Sequence, residues 1–336
     1  MRFCGFFVFI ACLLANLIQL INYLTIRYVS IDYYRRINAW LQYFVYSQFI
    51  AITEWWSKSS VTIYAADEAT ARMFGKEHAF IVANHRYEVD AVFMWLVSNK
   101  FNVLGGCKAF GKKDLRYTPI IGWTFFFGEY IFLERNWQKD SMNIGSGIDR
   151  LMAHKHPVIL MIAAEGTRFT AQKYETSMKF AADRQLGVHY NHHLLPRVKD
   201  PECAIYCFQM AFDETRESIK VSTLFKGQPM HCSIHLKRVS LSTVPTDTDE
   251  QITQYLYDLF TEKDQLMDYY YKNKSFPGIK IPTKRTFTGI YLTINSARIS
   301  KGSTYGTING KESHNVLTTG KSSKRDNNFN ASPKED

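Results

Sequence analysis

Residues 79–90 read Ala79-Phe80-Ile81-Val82-Ala83-Asn84-His85-Arg86-Tyr87-Glu88-Val89-Asp90. A short unbroken apolar run ending in polar residues reads as a strand buried on both faces. A histidine and an aspartate then follow at the strand exit, the place where open α/β sheets hold their ligands. In regular helix Asp90 would be turned about 140° away from His85. The two meet only if His85 lies in the turn before a helix and Asp90 lies in its opening turns, with Asn84 placed to cap that helix. There Asp90 accepts from one imidazole nitrogen and sets the tautomer, leaving the other nitrogen to take a proton. A lone histidine is more often structural; the strand exit and the nearby carboxylate single this one out.

Further strands are expected at Val61–Tyr64, Tyr130–Leu133, Val158–Ala163 and Ser233–Leu236, with helices at Val89–Asn99 and Ser141–His154 between them. This alternation predicts an α/β domain over residues 61–275, with a largely parallel sheet flanked by helices. Gln251–Tyr271 reads as an amphipathic helix. Regular character is expected to fade after Pro277, leaving 276–336 as a largely disordered tail, Ser-, Thr-, Asn-, Gly- and Lys-rich from about Ser296. Phe287–Leu292 is apolar but far too short to span a bilayer.

Residues 1–60 read as membrane-anchoring helices. Phe3–Ile26 is uncharged and long enough to cross a bilayer. It outruns the apolar core of a signal peptide and is followed by no small-x-small cleavage site, so it reads as a retained helix. Asn16, Gln19 and Asn22 mark one face for packing on a second helix. Arg27, Arg35 and Arg36 follow the span, which puts its C-terminal side in the cytosol. Leu41–Trp56, ending in Glu54-Trp55-Trp56, reads either as a membrane-surface helix paired with the first or as a core helix.

The chain has 336 residues, is 46% hydrophobic and 15% aromatic, and carries a formal charge of +10. Such a balance suits anionic lipid surfaces or phosphorylated small substrates. Nucleic acid is disfavoured, since no zinc-finger spacing, RNP-like strand or base-reading basic helix is found. The six cysteines form no CxxC and suggest neither zinc nor a disulfide framework. His189, His192 and His193 lack the Cys or carboxylate that would complete a metal site in the sequence. No cofactor and no metal are expected.

No nucleophile accompanies His85: there is no G-x-S-x-G and no cysteine in a suitable turn. Direct attack by a substrate hydroxyl is the simpler chemistry. A second constellation, Glu165-Gly166-Thr167-Arg168, occupies another strand exit, where glycine lets backbone approach a ligand and Thr and Arg donate to an anion. Arg135 closes the run Gly128–Arg135, and Leu194-Leu195-Pro196-Arg197 is an apolar run closed by proline. Lys108, Lys112, Lys113 and Arg116 lie between these motifs, either meeting phosphates or forming a solvated basic loop.

In this order the motifs resemble the glycerolipid (PlsC-like) acyltransferase family. The likeness is closest to eukaryotic 1-acylglycerol-3-phosphate acyltransferases of the gamma/delta/epsilon type, on Glu54–Ser57, Pro119–Trp123, Phe132–Trp137, Ala164–Thr170 and His193–Arg197. It runs from the N-terminal span to about Gly278. The resemblance implies acyl transfer from acyl-CoA, a co-substrate, to the sn-2 hydroxyl of lysophosphatidic acid without an acyl-enzyme, at a membrane, with the endoplasmic reticulum the expected one. It implies His85 as general base and Asp90 as its orienter. Arg135, Glu165, Gly166, Thr167 and Arg168 would bind the acceptor phosphate, and Pro196 would shape a pocket. The alternatives are another lysophospholipid acceptor, such as lysophosphatidylinositol, or a non-catalytic lipid-binding relative, told apart by turnover. Asn273-Lys274-Ser275 and Asn330-Ala331-Ser332 fit the glycosylation pattern and should stay bare on a cytosolic domain.

Overall fold

The computed structural model describes residues 2–134, 137–163, 165, 167–184, 186–195, 204–213, 219–240, 243–245 and 248–285. Strands β1 (Ser60–Ala65), β2 (Ala79–Ala83), β3 (Cys107–Lys112), β4 (Ile131–Leu133), β5 (Ile159–Ala163), β6 (Ala204–Phe212), β7 (His231–Val239) and β8 (Ile279–Ile281) form one sheet in the order β4-β3-β5-β2-β6-β7-β1-β8. The run β4-β3-β5-β2-β6 is parallel throughout, while β6–β7 and β1–β8 pair antiparallel. The sheet is therefore mixed, with its parallel half carrying the strand exits singled out in the sequence. β3, β6 and β8 were not expected. β3 mixes Lys and Gly into its run, and β8 lies beyond Pro277, where structure was expected to fade; it pairs Ile279–Ile281 with β1.

Every residue of β2 is buried, and its side chains alternate between two cores. Ala79, Ile81 and Ala83 join a core with α3 (Ile31–Ala51) and α5 (Asp90–Lys100). Phe80 and Val82 join another with Ile148 and Leu151 of α7 (Trp137–Met152) and Leu259 and Phe260 of α10 (Asp249–Asn273). Among the described residues, helices cover both faces of the sheet and the strand ends stay open, as in other α/β folds.

The N-terminal helix α1 (Arg2–Leu24) is followed by the single turn α2 (Ile26–Val29) and by α3. The stretch Phe9–Val29 is long and apolar enough to cross a membrane. Phe9, Leu14, Leu17, Ile18, Ile21 and Leu24 are exposed on α1, while Cys12 and Ala15 enter the main core. The expected polar face is turned inward: Asn16 Nδ2 donates to Thr124 Oγ1 at 2.9 Å on α6 (Ile121–Phe127), and Asn22 Nδ2 donates to Tyr34 O on α3. α3 buries Leu41, Val45, Tyr46 and Ile50, so the second apolar stretch is a core helix as well as the partner of α1. It ends in a π-helical turn, Ile52–Trp56, with Trp55 and Trp56 exposed.

Glu129 locks α3 to the sheet. Its carboxylate accepts from Arg35 Nε at 2.9 Å and pairs with His154 Nε2 at 2.8 Å, all three groups being buried. Arg35 also donates to the carbonyls of Arg150 and Ala153 at the end of α7. Glu129 sits at φ 61, the left-handed region, and a Cβ on the preceding Gly128 would lie 1.7 Å from Gln42 Nε2. Burial pushes the Glu129 carboxyl up, but the hydrogen bonds from His154 and Arg35 outweigh it and hold it at about 2, below its ordinary 4.5. A depressed carboxylate contributes stability that is complete above its unfolded value and lost as pH falls through the folded one. Acidification from about pH 4.5 to pH 2 should therefore remove about 3 kcal/mol through this one group. Glu129→Gln should lower the melting temperature at neutral pH and flatten its acid dependence. Thermal unfolding in detergent across that range checks both; an acid profile unchanged by the substitution would refute the assignment.

Candidate active site

β2 ends at Ala83, and the side chain of Asn84 supplies the next rung of its ladder with β6. Asn84 Nδ2 donates to Met210 O at 2.9 Å, and Oδ1 accepts from Met210 N at 2.8 Å. Asn84 is thus a strand clamp and not the helix cap expected from the sequence; α5 begins only at Asp90. The backbone between them folds as a tight turn around one oxygen. Asp90 Oδ2 accepts from Arg86 N at 2.8 Å, from Tyr87 N at 2.9 Å and from His85 Nδ1 at 2.9 Å. The carboxylate is buried, whereas the His85 side chain is 33% exposed. A carboxylate that fixes one imidazole nitrogen orients the ring as a general base requires.

The segment after β5 is tied to this turn: Phe169 N donates to His85 O at 2.9 Å. Glu165 is buried, and its Oε2 has no partner. Burial dominates and pushes the Glu165 carboxyl up to about 8, against the opposing influence of Lys263 and the nearby backbone N–H groups of His85 and Leu194. Glu165 therefore lies in the interior, whereas Arg168 is exposed. Arg168 Nη1 donates to Glu88 Oε1 at 2.9 Å, both side chains largely exposed. Lys173 Nζ donates to Thr167 Oγ1 at 2.6 Å from the first turn of α8 (Ala171–Asp183), which Thr170 caps. Arg86 stacks over Phe169 and Tyr87, at 5.3 and 5.7 Å. Arg86, Arg168 and Lys173 thus gather positive charge around the turn, opposed by Glu88.

Of the residues singled out in the sequence, His85, Asp90, Glu165, Thr167 and Arg168 come together here. Arg135, Gly166 and Pro196 lie outside the described residues, as does Asn330. Lys108 is buried in β3, donates to Gln42 Oε1 and sits over the Tyr130 ring at 5.6 Å, so it reaches no surface phosphate. Lys112 and Lys113 line an open cavity with Asp114, Leu133 and Glu134 at the ends of β3 and β4. His193 and His192 find their carboxylates on α10, at Asp264 (2.8 Å) and Asp268 (2.9 Å), as hydrogen-bond partners. Among the described residues, no group of three or more His, Cys, Asp and Glu could hold a metal ion.

Sequence reasoning missed Glu88, although it lies inside the 85–90 turn. It also missed the buried pair Lys263 and Asp264, whose only signal was two charges on the inner face of an amphipathic helix.

The Acyltransferase family profile matches residues 60–185, which hold the 85–90 turn and the 165–168 segment. An Acyltransferase C-terminus profile matches residues 223–295. Over 286 residues the chain is 37% identical to 1-acyl-sn-glycerol-3-phosphate acyltransferase 2 of Brassica oleracea, covering 82% of this chain and 72% of that one. It is 35% identical to the human gamma enzyme of the same name, covering 84% of this chain and 77% of that one. It is 34% identical to the human delta enzyme, covering 84% and 76%. A remote likeness, at 13% identity and a TM-score of 0.39 over 75% of this chain and 96% of the other, is to the LPA acyltransferase PlsC of Thermotoga maritima. With the 85–90 turn inside the matched region and relatives above 30% identity aligned over more than two thirds of each chain, the chain belongs to the 1-acyl-sn-glycerol-3-phosphate acyltransferase family.

Proposed function

We propose that the protein transfers an acyl group from acyl-CoA to the sn-2 hydroxyl of 1-acylglycerol-3-phosphate, giving phosphatidic acid, with His85 as general base. The observation that carries this is the 2.9 Å hydrogen bond between His85 Nδ1 and Asp90 Oδ2, made by a partly exposed imidazole at a strand exit. His85 Nε2 takes the acceptor's hydroxyl proton as the oxygen attacks the thioester carbonyl. The new C–O bond forms, the C–S bond breaks, and the imidazolium returns its proton to the departing CoA thiolate. Asp90 stabilises the transient imidazolium.

A covalent acyl-enzyme has no support. The four cysteines with described side chains are all buried, and burial pushes the thiols of Cys107 and Cys207 up to about 11. The relatives named for 1-acyl-sn-glycerol-3-phosphate support the acceptor, and the positive charge around the turn suits its phosphate monoester. Arg168 and Thr167 are the described donors for it, with Arg135 and the Gly166 backbone assigned from sequence. Pro196 is assigned to the neighbouring pocket wall. The exposed apolar face of α1 supports a membrane location, and the endoplasmic reticulum with a cytosolic catalytic domain is the reading taken from the sequence.

Arg168 must leave Glu88 to bind the acceptor. An exposed ion pair of this kind is worth about 0.2–1 kcal/mol, whereas a charge-assisted hydrogen bond to phosphate is worth about 1.5–3 kcal/mol, so the substrate wins. Glu88 therefore acts as a weak competitor. Glu88→Gln should lower the acceptor KM by about 2- to 5-fold, and Arg168→Ala should raise it by about 10- to 100-fold. Initial rates of acceptor-dependent CoA release, titrated in acceptor, report both; a KM unmoved by either change excludes this role for Arg168.

His85→Ala should reduce kcat by about 10²- to 10⁴-fold. Asp90→Asn should lower it comparably, because an amide can hold the imidazole in the wrong tautomer. The same assay, run on a panel of lysophospholipid acceptors with product identified by mass spectrometry, decides the reaction. CoA release that persists in His85→Ala, or product from another lysophospholipid alone, would reject this reading in its mechanism or its acceptor respectively.

A further inference from the structure

The residue that follows His85 in the turn is an arginine. The backbone N–H of Arg86 donates to Asp90 Oδ2 at 2.8 Å, and the same oxygen holds the His85 imidazole. Arg86 is thereby fixed beside the base. Its side chain is half-buried and framed by aromatic rings. The guanidinium carbon lies over the Phe169 ring at 5.3 Å and over the Tyr87 ring at 5.7 Å, and Nη1 reaches Tyr271 Oη at 3.5 Å. Rings attract a guanidinium through their faces and leave its N–H edge able to meet an anion. A contact of 3.5 Å is at the outer limit of a hydrogen bond and leaves most of the guanidinium donors unsatisfied.

The acids around the turn are already engaged. Glu88 accepts from Arg168, Asp90 serves the turn, and Asp268 pairs with His192 at 2.9 Å. Among the described residues no carboxylate pairs with Arg86. The neighbouring cations are engaged as well: Arg168 with Glu88, and Lys173 with Thr167 Oγ1 and Arg168 O. Arg86 can therefore receive an anion without giving up an ion pair. Rings from the turn, from the segment after β5 and from α10 restrict its long side chain beforehand, which lowers the entropy lost on binding. Its place in the chain fits one small acceptor. Consecutive Cα atoms are about 3.8 Å apart, and in a glycerol 3-phosphate the sn-2 hydroxyl and the phosphate sit on adjacent carbons. A base and a phosphate ligand on consecutive residues match that pair of groups.

We infer that Arg86 is a phosphate ligand: its guanidinium, framed by Phe169, Tyr87 and Tyr271, receives a substrate phosphate while its neighbour His85 takes the hydroxyl proton. The acceptor's phosphate matches the spacing; the phosphates of acyl-CoA offer the same chemistry, and the experiment tells the two apart. The motif resemblance gives the phosphate to Arg135 and to residues 165–168 and leaves Arg86 without a role. With Arg86 the turn that carries the base also reads the headgroup, and Tyr271 brings the region matched by the C-terminal family profile to the same place. The inference rests on the proposed acyl transfer for its kinetic test and on binding alone for its second test.

Arg86→Gln keeps the backbone N–H that Asp90 holds, so the turn survives the substitution. In acceptor-dependent CoA release it should raise the acceptor KM by about 10- to 100-fold, with kcat and the acyl-CoA KM within about 3-fold of wild type. Arg86→Lys keeps the charge and loses the planar fork, and its acceptor KM should fall between the two. A rise confined to the acyl-CoA KM supports the phosphate assignment and gives it to the donor. Both KM values unmoved in Arg86→Gln overturn it, as does a loss of kcat alone, which marks a disturbed His85 turn. Equilibrium binding to the detergent-solubilised protein is the second test and needs no turnover. Its probes are 1-acylglycerol-3-phosphate, 1-acylglycerol, which lacks the phosphate, and CoA. Wild type should prefer the phosphate-bearing lipid, and Arg86→Gln should lose about 10-fold or more of that preference. If wild type shows no transfer, the functional reading fails and binding still decides Arg86: an unchanged lipid preference together with unchanged CoA binding overturns the assignment. Should Arg86→Gln fail to fold, Arg86→Lys carries the same comparisons.

Discussion

One carboxylate oxygen organises the 85–90 turn. Asp90 Oδ2 accepts from two consecutive backbone N–H groups and from the imidazole it orients. A turn of this tightness leaves backbone donors facing inward, and buried donors without acceptors are costly. The same oxygen that removes this cost also selects the histidine tautomer. Spacing, fold and chemistry are therefore one constraint: five positions suffice to bring a carboxylate at a helix start back over the turn that precedes it, and a regular helix would not permit it.

That turn is held at a defined height above the sheet by groups from distant parts of the chain. Asn84 clamps it to β6, Phe169 holds the His85 carbonyl, and Lys263 Nζ donates to carbonyls of both β2 and β6. The polar interior has a consistent logic. The buried pair Arg35–Glu129 joins the N-terminal helices to β4 and α7, and an opposite charge is what a low-dielectric environment requires of such a group. The apolar N-terminal helix and the 85–90 turn are thereby carried on one compact unit.

Much of the parallel half was legible in the sequence because its strands are short apolar runs of five or so residues with polar flanks, as at Ala79–Ala83 and Ile159–Ala163. β3 was not, because Cys107–Lys112 mixes Lys and Gly into a strand whose burial comes from its neighbours. Nor was β8, because two isoleucines around a lysine carry no periodic signal until β1 offers an edge. The polar stripe Asn16, Gln19, Asn22 was legible as a packing face; that it would meet Thr124 of α6 as well as α3 was not, since a periodicity names a face and not its partner.

By itself the sequence determined the α/β class, the apolar helix ahead of it and the pairing of His85 with Asp90, because strand length, helical face and the reach of a turn are local properties. It also placed Arg168 near the reacting group, since both lie just past strand exits and adjacent parallel strands end side by side. Only the tertiary structure decided which way the polar residues point. Glu165 and Arg168 are three positions apart, yet one is buried and the other lies exposed beside Glu88. Residue type gives both a charge. Whether that charge is buried or left facing solvent depends on how distant parts of the chain pack around it, and desolvation, a property of the assembled interior, then sets what each can do.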